Sequence, residues 1–160
     1  MHKYHMNKRE REITDKKEIA EVLDNGKYAV ISMCRNNEPY IVTLSYGYSK
    51  NENSLYFHSA LKGLKLDFIK SNPLVCATVI EDGGYNKNQC EHVYRSVVFW
   101  GNMSAVDNLE EKKKGMEVLL NHLEDTPGPI VERNLKNDKA YDNITVLKLV
   151  ISHISGKKGK

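Results

Sequence analysis

The residues best placed to do chemistry stand between Leu55 and Pro73, in LYFHSALKGLKLDFIKSNP. His58 and Ser59 end a strand-like run, an Ala-Leu-Lys-Gly corner follows, and Gly63 opens a short helix that carries Lys65. The first turn of a helix has backbone N–H groups without intrahelical partners, and its macrodipole favours negative charge. Lys62 and Lys65 add positive charge, Ser59 brings a hydroxyl and His58 a ring N–H. Gly63 lets the backbone approach closely and take dihedrals that other residues avoid. That gathering suits a phosphate. The same spacing also describes an ordinary strand-to-helix corner with solvated lysines. Neither GxxxxGK nor GxGxxG occurs in the chain, so no nucleotide-loop signature decides between them.

A second candidate lies just upstream. Along YIVTLSYGYS (40–49), Val42, Leu44, Tyr46 and Tyr48 point one way and Thr43, Ser45, Gly47 and Ser49 the other. A small, hydroxylated face leaves room for a flat heterocycle and offers donors to its edge. The alternative is the solvent face of a sheet. Cys34, Cys76 and Cys90 form no CxxC and no closed disulfide framework. Cys34 and Cys76 lie in apolar strand-like runs and are expected as small core residues. Cys90 and His92 in NQCEH lack a second pair at ligand spacing, so no metal site is read here.

The elements that must position these groups follow from periodicity. Residues 1–12 form a polar arm without the apolar core of a secretion signal. Asp15 with Glu18 resembles a capping box, and Ile19, Val22 and Leu23 recur at helical spacing up to Gly26. The period then changes to two. Strands are expected over 28–34, 40–49 and 54–60, joined by turns at 35–39 and 50–53, and further strands over 74–81 and 92–106. The segment 82–91 reads as a polar loop, of a kind that sets substrate access. Gly101 marks a bulge or a close backbone approach. Asp107 or Asn108 caps a helix to Leu123, with Met116, Leu119, Leu120 and Leu123 on one face and the EEKKK run solvated; DTPGP ends it. A last strand covers 143–155, and GKKGK is a basic tail. Six strands, mostly joined by hairpins, give a mainly β fold with peripheral helices: one antiparallel barrel domain over 13–156, with 157–160 outside it.

Composition narrows the function classes. The chain has 160 residues, 40% hydrophobic and 28% charged, enough to bury a core without metals or disulfides. No apolar run reaches the roughly 18 residues of a membrane span. A net charge of +3, with acids interleaved among the bases, does not describe a nucleic-acid surface. A cytoplasmic protein is expected, with no nucleic-acid or membrane partner.

In its words and their order the chain resembles the FMN-binding split barrels of the pyridoxamine 5'-phosphate oxidase-like superfamily, and within it the nitroimidazole-resistance (Nim)-like flavoproteins. PYIVTLSYGYS (39–49), LYFHSALKGLKLDFIKSNP (55–73), the VCATV that follows and YRSVVFWGNMSAV (94–106) carry the resemblance, which continues through EEKKKGMEVLL to the final ISGK. It implies a homodimer with two FMN sites at the interface. It places Thr43, Leu44 and Ser45 beside the flavin ring, and His58, Ser59, Lys65 and Lys62 at the ribityl-phosphate end. Arg95, Ser96 and Trp100 fall on the long strand such proteins use at the interface, where an indole can cover the neighbouring subunit's flavin. It also makes His58 the candidate for proton transfer or substrate contact. The implied activity is an FMN-dependent oxidoreductase acting on a small electron-poor acceptor, with NADH or NADPH as donor; a deazaflavin fits the same fold. The basic pair and arginine-rich end of true pyridoxamine-phosphate oxidases have no full match, which argues against vitamin B6 oxidation. Two alternatives stand beside it: a flavin or haem carrier or redox-sensing protein without turnover, and a ligand-free structural barrel.

Overall fold

The computed structural model describes residues 6–159; residues 1–5 of the expected polar arm, and Lys160, lie outside them. The strands are β1 (Glu12–Ile13), β2 (Tyr28–Arg35), β3 (Glu38–Ser49), β4 (Ser54–Ser59), β5 (Leu74–Asn86), β6 (Glu91–Ala105) and β7 (Thr145–Lys158). The α-helices are α1 (Lys16–Asn25), α2 (Leu64–Ser71), α3 (Leu109–Leu123) and α4 (Gly128–Asn134), the last followed by a 3-10 turn at Asp138–Asn143. All pairings are antiparallel, in the order β1-β7-β4-β3-β2-β5-β6, and β6 pairs back onto β7. The six long strands thus close into the expected barrel. The two-residue β1 is an addition: β7 gives one edge to β6 and divides the other between β4, along 145–150, and β1, at 156–157.

Alternation builds the core. Ala29, Ile31 and Met33 of β2, Leu55 and Phe57 of β4, Val75, Ala77 and Val79 of β5, and Leu147 and Leu149 of β7 are all buried. Val22 and Leu23 of α1 and Phe68 and Ile69 of α2 complete the same apolar cluster. The hairpin β2–β3 turns on Asn36 and Asn37, both with positive φ (49° and 65°), a two-residue turn that asparagine tolerates and the twist of the strands favours. Where Trp100 pairs with His153 and Gly101 with Ile151, β7 carries one extra residue; a Cβ on Gly101 would collide with the Val150 carbonyl, so both readings of that glycine hold.

Helix α3 packs outside the barrel. Asn108 caps it by accepting from the Glu111 N–H at 3.1 Å. Its Met116 and Leu119 join Tyr56 and Val146 in a second apolar cluster. A side chain at Gly47 would meet the α3 backbone at Leu119 at 2.5 Å, so this glycine is what lets helix and strand touch. Glu52 ties the layers together: it accepts from the Tyr56 hydroxyl (2.9 Å) and pairs with Lys114 (2.9 Å) and Lys148 (3.3 Å), while Lys148 also reaches Glu111 (2.8 Å). Hydrogen bonding, from Lys114 first and then Tyr56 and Lys148, holds the Glu52 carboxyl down to about 2 against the opposing effect of burial. At the other end of α3, His122 Nε2 donates to the Gly26 carbonyl (2.6 Å). Beside it the Tyr46 hydroxyl donates to the Leu23 carbonyl (2.6 Å).

Several expectations need correction. Cys34 is exposed and Cys76 only half-buried, because the core positions are their neighbours on the opposite parity; apolar runs on both faces hid which side was inside. The expected loop at 82–91 is mostly strand: β5 and β6 continue past a bulge between Asp82 and Tyr85 to a turn at 87–90. Cys90 and His92 there have separate partners, the Tyr85 hydroxyl (3.7 Å) and Asp82 (2.7 Å). Lys157 and Lys158, expected in a tail, belong to β7 and pair with Glu12 of β1 and with Ser96 and Arg95 of β6. Asp15 caps α1 through the Lys17 N–H (2.8 Å), but Glu18 turns instead to Lys158 (2.9 Å), so the box does not close.

Two outcomes follow. Gly47→Ala forces α3 outward and is expected to cost about 1–3 kcal/mol in denaturant unfolding; unchanged stability would show that helix and strand are not in backbone contact. Burial lowers the His122 pKa, so the unfolded chain takes up its proton first, and stability is full above the ordinary value of about 6.5 and falls as pH drops below it. The melting temperature is therefore expected to fall between pH 7.5 and 5.5 by an amount that His122→Gln, which keeps a donor for Gly26, largely removes; an equal fall in the variant counts against it.

Candidate functional site

The outward face of β3 is divided by α3. Gly47 is buried under the helix, whereas Thr43 and Ser45 stay exposed beyond its edge. The register that sets Tyr46 opposite Phe57 puts Ser45 and His58 side by side on this face. Tyr56 of β4 is buried beneath α3, and His58, two residues on, emerges exposed past it. The result is a cavity of about 440 Å³ whose floor is Thr43, Leu44, Ser45 and His58. Met116, Leu119, Leu120 and Leu123 of α3 form one wall; Ile130 and Asn134 of α4, with Leu135, Ala140 and Ile144, form the other. No Asp, Glu, Lys or Arg lines it. Leu44 also packs against the barrel core, so its contribution to the floor is the edge of that core.

The corner after β4 has the opposite character. Ser59 is 4% exposed, and its Oγ is a buried side-chain oxygen without a hydrogen-bond partner among the described residues. Gly63 precedes α2 with φ +147°, in the region that favours glycine, with no side chain capping the helix and open space where a Cβ would stand. Lys62 is exposed and Lys65 half-buried, and neither is in an ion pair among the described residues. An orphaned hydroxyl, uncapped helical N–H groups and two unpaired ammonium groups form a donor set that an anion would satisfy. The small, uncharged floor next to it accepts a flat ring. Both halves fit the parts of a flavin mononucleotide.

The structure brings Thr43, Leu44, Ser45 and His58 together, with Ser59, Lys62 and Lys65 following along the chain. It does not bring Arg95, Ser96 or Trp100 to them. These three lie on β6, which in the ring of six strands is diametrically across the barrel from β3. Arg95 is held there by Glu81 (2.6 Å) and Glu21 (3.1 Å), and Ser96 lines a shallow hollow with Asp82 and His92. Trp100 stacks at a tilt on His153 with ring centroids 5.6 Å apart. The α4 wall was missed in the sequence: DTPGP marked the end of α3, but the seven-residue helix after it buries nothing and so shows no apolar stripe to read.

Compared with known proteins, residues 15–158 match the family model described as pyridoxamine 5'-phosphate oxidase. The chain belongs to that family. Over 69 residues it is 35% identical to an uncharacterized protein of Rhizobium meliloti (strain 1021), a match spanning 43% of this chain and 44% of that one, so less than half of the relative is accounted for. The fold is shared with a Bacteroides thetaiotaomicron protein named for 5-nitroimidazole antibiotic resistance (TM-score 0.77, 22% identity, covering 99% and 96% of the two chains). It is shared also with the flavocytochrome Anf3 of Azotobacter vinelandii (0.80, 18%, 97% and 72%) and an FAD and heme binding protein of Mycobacterium smegmatis (0.78, 18%, 94% and 74%).

The unpaired Ser59 Oγ has a consequence for stability. A buried hydroxyl without a partner carries a desolvation cost, so Ser59→Ala is expected to stabilise the ligand-free protein by about 1 kcal/mol. A lower denaturation midpoint in the variant would mean that Oγ is bonded in solution.

Proposed function

We propose that this protein is an FMN-dependent oxidoreductase of the nitroimidazole-resistance-like type, a homodimer that reduces a small electron-poor acceptor such as a nitroaromatic, with NADH or NADPH as donor. The observation that carries the reading is the orphaned Ser59 Oγ, one residue from a His58 that looks into an uncharged cavity. An anionic end and a flat neutral end are thus provided for side by side.

In this reading Ser59, Lys65, Lys62 and the first N–H groups of α2 hold the phosphate. Thr43 and Ser45 donate to the edge of the ring, and Leu44 supports it from the core side. The bound flavin supplies hydride and electron transfer. His58, the one titratable side chain in the cavity, orients the acceptor and passes a proton through an imidazole nitrogen. The leucines of α3 keep bulk water away.

Support for the dimer comes from the outward sheet face that the helices leave bare. Tyr28, Ile41 and Ile80 are 58%, 63% and 57% exposed on adjoining strands β2, β3 and β5, an apolar surface suited to a second copy. Arg95, Ser96 and Trp100, which cannot reach their own chain's cavity, would meet the flavin of the partner. Among the described residues no helix is long and apolar enough to cross a membrane; the cytoplasm is the proposed place of work.

A second reading keeps the ligand and drops the turnover: a flavin or haem carrier. A lone imidazole in an otherwise apolar cavity favours it, as do fold relatives named for flavin and haem together.

The purified protein is expected to be yellow and to release FMN on denaturation. Ser59→Ala combined with Lys65→Ala is expected to weaken FMN binding at least about tenfold, the equivalent of about 1.4 kcal/mol; unchanged affinity removes the phosphate assignment. Anaerobic NADPH should bleach the flavin and a nitroaromatic should restore its colour. Bound flavin that fails to cycle identifies a carrier.

A further inference from the structure

Helix α4 is suspended between cavities. On one side is the His58 cavity; on the other is a second space of about 490 Å³, reached past Pro127, Gly128, Val131 and Glu132. The two share Met116, Leu120 and Leu135 as a common border. No residue of α4 is buried, and a Cβ on Gly128 at its start would meet nothing within 4 Å. The chain on either side is fixed, upstream by α3 and downstream by the 3-10 turn. There Lys113 pairs with Asp138 (2.9 Å), Lys112 Nζ donates to the Tyr141 and Ile144 carbonyls (both 3.3 Å), and Tyr141 is buried. A short helix held at its ends, with unfilled space on both faces, has room to swing toward either without breaking a packed core.

We infer that α4 is a movable wall of the His58 cavity, and that Ile130 and Asn134 on it make the site select uncharged, apolar ring compounds over anionic ones. Ile130 and Asn134 stand four residues apart and so share one face of the helix, the face that lines the cavity. The Asn134 side chain accepts from Arg133 Nε (3.3 Å), which leaves its amide N–H₂ to donate to a neutral acceptor such as a nitro or carbonyl oxygen. The charged side chains of α4 do not enter: Glu132 borders the other space and Arg133 lines neither. A ring bearing a carboxylate would therefore lose its hydration against leucine, isoleucine and methionine with no cation to replace it. Closure of α4 onto a neutral ring buries Ile130 and fills the gap. The inference rests on the cavity being the acceptor site, but it concerns binding and helix motion, which are measured without turnover.

The probes are 4-nitrotoluene and 4-nitrobenzoate, which differ in one charged group, titrated calorimetrically into the protein as purified. The neutral compound is expected to bind at least about tenfold more tightly, a difference of about 1.4 kcal/mol. It is also expected to slow amide exchange over 128–135 at least several-fold while leaving α3 unchanged. Ile130→Ala should weaken 4-nitrotoluene and abolish that protection, and Asn134→Arg should reverse the preference toward 4-nitrobenzoate, both with FMN retention unaltered. Equal affinities, no binding of the neutral probe, or unchanged exchange over 128–135 overturns the inference even where FMN binds as proposed. Binding and protection by 4-nitrotoluene in a protein that takes up no flavin would uphold the wall and sink the flavin reading instead.

Discussion

The contact on which the rest of the arrangement depends is that between the backbone of α3 and Gly47. A strand residue with any side chain would hold the helix off the sheet, and the leucine face of α3 would then have no floor. Because the approach is so close, α3 covers the outward face of β3 at Gly47 and leaves it open at Thr43 and Ser45. Its edge decides which residues of β4 are buried: Tyr56 beneath it, His58 past it. One missing side chain thus places the imidazole, the two hydroxyls and four apolar residues of α3 around a single space.

The barrel beneath is apolar on both faces of several strands, for different reasons. Inward residues such as Ile31, Ala77 and Phe99 fill the interior. Outward residues such as Tyr28, Ile41 and Ile80 have nothing over them, since α1 and α2 give their buried residues to the interior cluster and α3 covers only the β3–β4–β7 side. A strand facing core on one side and water on the other alternates cleanly; one meant for contact on both sides does not. That is why Cys34 and Cys76, in runs that read as continuous core, turn out to face away from it.

Much of this was legible in the residues. The change of period at Lys27 marks where helix gives way to strand, and the parity of 40–49 separates Thr43 and Ser45 from Leu44 and Tyr46 as the structure does. Asn108 and the spacing of Met116, Leu119, Leu120 and Leu123 describe α3 and its buried face. What could not be read depends on distant partners. The strand continuation through 82–86 is carried by cross-strand pairs such as Tyr85 with His92, in a segment whose glycines and asparagines signal a turn. Lys157 and Lys158 look like a solvated tail until Glu12 and Ser96 are found beside them. Helix α4 has no apolar periodicity because it packs on no core, the very property that leaves it free between two spaces.

Charge is distributed along the same division. Where α3 must be held to the barrel, cations are neutralised: Lys148 and Lys114 converge on Glu52, and Lys112 on two carbonyls. Arg95 is likewise satisfied within its own chain by Glu81 and Glu21, which also keep its guanidinium firmly protonated. At the corner after β4 the pattern is broken, with Lys62 and Lys65 unpaired beside an unpaired hydroxyl. Solvated surface lysines are common, but a serine that is both buried and unpartnered is costly and persists only where something outside the chain completes it. The serine, more than the lysines, is therefore the feature that separates a binding corner from an ordinary turn, and it lies next to the one cavity floor that carries an imidazole and no charge.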